Sequence, residues 1–209
     1  MAKGKSNVVS HPQVNDINMF GANIPKTKKV AWVKMYTGMD QAEAKEAVKI
    51  MEDYSGSGST PIHNGSDQHA NDLINKVVDS PKTPVYSGKQ YRGLTVSLGF
   101  AKNQGTSSPQ EYLDGIVSGG VWTEKGATSF SASKKTAMNF GSFGYGTKDS
   151  VSVLVTYKGG KTGMPFKHIS KLSSENEVLH SQNDMVKGKK IVKAYWNKAK
   201  TELFIDVDD

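Results

Sequence analysis

The hydrophobic pattern changes period along the chain, and that change limits the fold more than any other feature. After Asp40, apolar residues recur at helical spacing: Ala44, Ala47, Val48, Met51 and Tyr54 share one face. Asp40 with Glu43 forms a capping-box pattern at the start of this helix, and Ser55-Gly56-Ser57-Gly58-Ser59 ends it. A second helix is expected over 67–79, with Ala70, Leu73, Ile74, Val77 and Val78 on its buried side and Pro81 as its stop. A third opens at Ser108-Pro109-Gln110-Glu111, where an N-cap hydroxyl, a first-turn proline and a reciprocal glutamate coincide. It closes near Gly119-Gly120. The remainder reads mainly as strands, at 85–96, 128–131, 151–157, 177–180, 190–196 and 202–207, with Asn197-Lys198-Ala199-Lys200 turning between the last two. A short helix starts at Ser133 and buries Ala137 and Phe140. Helices first and mostly antiparallel strands afterwards predict an α+β domain.

Residues 1–30 are polar and without sustained period, so they read as a flexible or loosely docked leader to one domain over 31–209. The chain has no cysteine, which excludes disulfide scaffolds, thiolate zinc sites and cysteine nucleophiles. The histidines (His11, His63, His69, His168, His180) are scattered and form no paired ligand motif, so no metal is expected. No apolar h-region marks the first fifteen residues, and no stretch approaches the ~20 apolar residues of a membrane span. The expectation is a soluble cytoplasmic protein with no membrane contact. Its net charge of +7 is nearly all lysine: 26 of the 27 basic residues are lysine, and only Arg92 is arginine. A DNA reader that forks onto guanine, or an arginine-rich RNA segment, would use several arginines.

Three stretches look chemical without being so. Gly141-Ser142-Phe143-Gly144-Tyr145-Gly146 follows a helix and misses the dinucleotide spacing, so it reads as a mobile loop. Gly160-Lys161-Thr162 echoes a phosphate loop but has Val155 where its first glycine belongs, so it reads as a turn between strands. Lys187, Lys189, Lys190 and Lys193 read as a solvated strand face.

Three further features are odd singly. The sole arginine lies in Gln90-Tyr91-Arg92-Gly93, at the end of an alternating strand. Arginine presents a rigid fork that binds phosphate or carboxylate at two points, which lysine does not. In Ala127-Thr128-Ser129-Phe130-Ser131-Ala132-Ser133, the hydroxyls of Ser129 and Ser131 fall on one strand face. In Ser173-Ser174-Glu175-Asn176-Glu177-Val178-Leu179, two glutamates stand two apart where a strand begins. Such a spacing puts two carboxylates on one side, close enough to raise each other's pKa. Each feature alone has a plain account: a surface ion pair, a small-residue strand edge, and two solvated acids.

Together and in this order, Tyr91-Arg92-Gly93, Ser129-Phe130-Ser131 and Glu175-Asn176-Glu177 resemble the mono-ADP-ribosyltransferases of the R-S-E class, T-even phage Alt/Mod enzymes and bacterial toxins among them. Upstream, Met51-Glu52-Asp53-Tyr54-Ser55-Gly56-Ser57 and Ile62-His63-Asn64 look like that family's helix-to-Tyr-Thr-Gly segment, and the resemblance spans roughly 40 to 207. It implies N-terminal helices on a core of two mainly antiparallel β-sheets, with NAD+ as co-substrate and no metal. Two positions depart from the pattern. Phe130 replaces threonine in the serine motif. Phe143 stands where some toxins place a second phosphate-binding arginine, with Lys148 or Lys134 as candidate substitutes.

The resemblance assigns roles as well. Glu177 would stabilise the oxocarbenium-like state of NAD+ cleavage and bond the nicotinamide ribose, and Ser129 would orient Glu177. Arg92 would clamp the phosphates, Gly93 would let backbone approach the nicotinamide amide, Ser131 would help bind the dinucleotide, and Phe140 would stack on the ring. Glu175 would choose arginine as acceptor by pairing with its guanidinium and taking its proton. The expected acceptor is a host protein with an exposed arginine, RNA polymerase or translation proteins included, and the chain would be a phage effector. Alternatives stay open: a secreted or injected toxin, an NAD+ glycohydrolase, a non-enzymatic lysine-rich nucleic-acid-binding module, or use of NAD-capped RNA.

Overall fold

The computed structural model describes residues 11–15, 17, 24–56, 59–158 and 160–209. The leader expected over 1–30 lies partly outside these residues. Where it is described, it is structured. Gln13–Val14 (β1) pairs in parallel with Val85–Tyr86 (β2), and Lys26–Thr37 forms α1 with Lys29, Val30, Trp32 and Val33 buried.

Helix α2 (Gln41–Tyr54) starts where the capping pattern placed it, Asp40 accepting from the N–H groups of Ala42 and Glu43. Glu43 does not reach back to complete the box; it pairs with Lys76 at 2.6 Å. An unforeseen turn, α3 (Ser59–His63), follows. The Asp67 side chain then caps α4 (Gln68–Val78). These helices pack α1, α2 and α4 together over Met164, Phe166, Ile169 and Leu179, burying the residues that the helical period marked.

The second core lies on the sheet. Beyond β3 (Gln90–Ser97) come α5 (Leu98–Asn103), α6 (Pro109–Gly119), β4 (Val121–Trp122), β5 (Thr128–Ser131) and α7 (Lys134–Phe140). They are followed by β6 (Ser150–Tyr157), β7 (Met164–Pro165), β8 (Glu177–His180), α8 (Gln182–Lys187), β9 (Lys189–Trp196) and β10 (Glu202–Asp208). Ser108 caps α6 with Pro109 in its first turn, and Gly120 closes it in the left-handed conformation (φ 72°). Eight strands run in the order β4-β9-β10-β6-β3-β5-β8-β7. All neighbours are antiparallel except β6 and β10, which pair in parallel, and the short edge strands β4 and β7 are ones that the alternation did not indicate.

The two expected sheets appear as halves of this array. Between β3 and β5 only Tyr91 and Ser131 are in register, so the halves splay apart beside that pair. The site occupies this wedge.

Two further expectations meet a different structure. Lys189 is not on a solvated face: it is 2% exposed and donates to Thr162 Oγ1, Asp184 Oδ1 and Asp209 Oδ1, because a buried ammonium must have partners. The Gly141-to-Gly146 loop is tied down by Phe143 packing on Phe204 and by Gly144 N–H donating to Glu202.

Candidate active site

A cleft of about 400 Å³ opens at the wedge, walled by the end of α2, by α3, by β3 and β5, by α7, and by the turn before β8. Arg92, Gly93, Ser129, Ser131, Phe140, Glu175 and Glu177 all line it. The three sequence motifs therefore converge, although no two of them are neighbours in the chain.

Glu177 begins β8, opposite Ser131, and is 4% exposed. Its Oε1 accepts a short hydrogen bond from Ser129 Oγ. Ser129 Oγ also lies 2.9 Å from the Tyr54 hydroxyl. A serine hydroxyl has one proton. That proton has two acceptors within reach, Glu177 Oε1 and the Tyr54 oxygen, and the Tyr54 hydroxyl in turn faces Ala127 O at 3.5 Å, so the three side chains form one hydrogen-bonded cluster. Burial holds Tyr54 well above its usual pKa, so it remains a donor. Glu177 Oε2 is buried without a hydrogen-bond partner of normal geometry among the described residues, the nearby Ser170 hydroxyl favouring its charged form.

Burial pushes the Glu177 carboxyl up to about 7 against the opposing bond from Ser129. The neighbouring Glu175 charge is the smallest contributor. Glu175 is itself raised by burial alone. Mutual repulsion of the two carboxylates, expected from their spacing, is thus minor. The geometry explains why: Glu175 closes a 3-10 turn over Ser173–Glu175, and Asn176 reverses the chain at φ 50° before β8 begins. The two glutamates do not share a strand. Ser131 fixes this turn, its hydroxyl donating to Glu175 O at 2.5 Å while Ala132 N–H donates to Asn176 O at 2.8 Å. Its proton is committed there.

Arg92 sits on β3 with Nε donating to Glu124 Oε1 at 2.8 Å and Nη1 to Ser129 O at 3.0 Å. Gly93 carries α7: a Cβ there would come within 1.6 Å of Ala137 O, so the helix lies on the strand only because that position is bare. Phe140, at the end of α7, stays 57% exposed at the rim. Phe143 packs on Phe204, and Lys134 lines a separate groove with Lys135 and Met138. Neither Lys134 nor Lys148 lines the cleft, and among the described residues that line it no lysine stands beside Arg92.

The sequence singled out neither Glu124 nor the role of Tyr54. Tyr54 reads as an apolar position of α2 in a stretch that the resemblance marks without giving it a role, and its partner is 75 residues away. His63, in α3, also lines the cleft against the Tyr54 ring (4.8 Å), held down to about 4 by burial and by the Arg92 charge, hence neutral near pH 7. No cluster of His, Asp or Glu among the described residues could hold a metal ion.

No protein-family model matches the chain, and no curated protein matches it. Solved structures do. HopU1 of Pseudomonas syringae pv. Tomato DC3000, an ADP-ribosyltransferase, is 12% identical with a TM-score of 0.56, covering 92% of this chain and 90% of its own. The ADP-ribosyltransferase Vis in complex with agmatine is 22% identical with a TM-score of 0.52, covering 88% and 81%. The C3 exoenzyme of Clostridium limosum is 14% identical with a TM-score of 0.51, covering 95% and 97%. The α+β architecture is the ADP-ribosyltransferase fold.

Proposed function

We propose that this chain is an NAD+-dependent mono-ADP-ribosyltransferase that moves ADP-ribose to arginine side chains of proteins and releases nicotinamide. The observation that carries this reading is the convergence of Arg92, the Ser129–Glu177 pair and Glu175 in one cleft of a fold shared with such enzymes. Heterolysis of the glycosidic bond sends its electron pair out with nicotinamide, which leaves neutral. The ribosyl cation is met by the Glu177 carboxylate, held in place by Tyr54 and Ser129 before the reaction begins. An acceptor guanidinium nitrogen then bonds to the anomeric carbon and gives its proton to Glu175, whose raised pKa makes it a better base than an ordinary carboxylate. Arg92 holds the diphosphate.

Agmatine, bound in a Vis structure, carries the same guanidinium as arginine and is the simplest acceptor to offer. With labelled NAD+, the parent protein is expected to label agmatine. Glu175→Gln is expected to lose that transfer while still releasing nicotinamide into water. Should Glu175→Gln transfer to agmatine as the parent does, the assignment of Glu175 is wrong.

The free enzyme works only with Glu177 ionised, since a neutral acid offers a cation little. Its pKa near 7 then sets the acid limb: kcat/KM should rise about tenfold per pH unit below that value and level off above it. A flat profile between about pH 5.5 and 8 would remove Glu177 as the ionising group.

Phage origin, a location in the host cytoplasm, and acceptors among RNA polymerase and translation proteins belong to this proposal. They rest on the family analogy and on the lysine-rich, cysteine-free composition. Mass spectrometry of a bacterial lysate after incubation with labelled NAD+ names the acceptor.

A further inference from the structure

Arg92, in the cleft wall, is paired with an acid that the reaction above does not use. Glu124 and Arg92 keep 20% and 18% of their side-chain surface and meet at 2.8 Å. Glu124 belongs to the segment between β4 and β5, which several contacts hold. Glu124 N–H donates to Met185 O at 3.2 Å, Gln182 Nε2 to Lys125 O at 2.9 Å, and Ala127 N–H to Asn71 Oδ1 at 2.8 Å. Gly126 is packed so closely that a Cβ there would come within 1.7 Å of Ile62 O. The carboxylate is thus delivered by a stapled turn that joins β4–β5 to α3, α4 and α8.

A guanidinium carries five N–H donors. Glu124 takes the one on Nε and Ser129 O takes one on Nη1, so the three left over all sit on the terminal nitrogens. A free arginine side chain samples many rotamers and loses that freedom when it binds. One gripped at Nε has lost it already. The acid has an opposing effect, because its charge weakens the pull of Arg92 on an incoming anion. A site that keeps it gains placement at some expense of attraction.

We propose that Glu124 is a positioning residue that anchors the Nε edge of Arg92, so that its terminal N–H groups present a fixed fork to the diphosphate of the dinucleotide. The ligand's identity rests on the reading in the preceding section; the anchor does not.

The composition supplies a readout independent of activity. Arg92 is the only arginine, so the chain has a single arginine Nε–H signal in a ¹⁵N–¹H spectrum. In the parent that proton should exchange slowly near pH 7. Glu124→Ala should speed its exchange by at least about tenfold, as expected when a half-buried charged acceptor is removed, whereas Glu124→Gln, which keeps an acceptor in place, should largely preserve the protection. Calorimetric titration with NAD+ should show Kd rising on the order of tenfold or more in Glu124→Ala but less than about threefold in Glu124→Gln, with kcat at saturating NAD+ within about twofold. If Glu124→Ala fails to fold, Glu124→Asp takes its place: it keeps the charge but is one methylene too short for the contact, and should weaken binding more than Glu124→Gln does.

Unchanged exchange in Glu124→Ala overturns the anchor. Equal damage from Gln and Ala overturns it too, because charge rather than contact would then matter. A fall in kcat at unchanged Kd would place Glu124 in the chemistry and refute a positioning role. A parent that binds no NAD+, yet shows Glu124-dependent protection, sinks the dinucleotide reading and leaves the anchor standing.

Discussion

Replacing Glu177 by glutamine is expected to stop the reaction and stabilise the protein at the same time. On the reaction side, loss of one preorganised group that faces developing charge costs on the order of 10²–10³ in rate, and Glu177 is the carboxylate that Ser129 bonds. Incorporation of labelled NAD+ measures this, and retained labelling would end the assignment. On the stability side, the folded protein holds the Glu177 proton up to about pH 7, while the unfolded chain releases it near the ordinary value of 4.5. Between those values the folded state binds more protons, so stability falls as pH rises. The loss is complete above about 7 and reaches up to about 3 kcal/mol. Glutamine keeps an acceptor for Ser129 and has no charge to bury. Glu177→Gln should therefore match the parent in denaturant midpoint near pH 4.5 and exceed it at pH 8. A gap that does not widen with pH would show that burial is not what raises this pKa.

The second large effect concerns a residue with no side chain. Gly93→Ala should unseat α7, because its Cβ would meet Ala137 O at 1.6 Å and Gly141 N at 2.9 Å, backbone atoms that cannot rotate aside. A cost of about 3 kcal/mol or more is expected, at the top of the range for overpacking. α7 carries Phe140 to the cleft rim, so NAD+ binding should fail with the fold. Gly115→Ala is the matched control. Gly115 lies inside α6 with nothing within 4 Å of a new Cβ, and alanine there should be neutral or stabilising by about 0.5–1 kcal/mol. Equal melting temperatures for Gly93→Ala and the parent would show that the helix can slide off the strand without penalty.

Both effects show how much of this site was legible in the chain. Arg92, Ser129 and Glu177 stand out by residue type and order, and all three line one cleft. What β3 and β5 do between them is not written locally. A single registered pair, Tyr91 with Ser131, opens the wedge, and no stretch of sequence encodes the divergence of two strands. The glutamate spacing predicts two carboxylates on one side at the entry to a strand. Asn176 at φ 50° breaks that geometry, and asparagine, which tolerates the left-handed region, is the one local hint that it does.

By itself the sequence determined the α2, α4 and α6 starts and the faces that α2 and α4 bury, because caps and periods act within a few residues of one another. It also singled out the one arginine, since a composition with 26 lysines makes any exception visible. Only the tertiary structure decided what that arginine faces. Glu124 stands 32 residues downstream in a segment without period or motif, and Tyr54 lies 75 residues before the serine it bonds. Lys189 has the same lesson in reverse: it looks like solvated charge beside its lysine neighbours, and folding surrounds it with Asp184 and Asp209. Partners that far apart in the chain meet only through packing. The energy of a buried charge depends on them, not on the residues beside it.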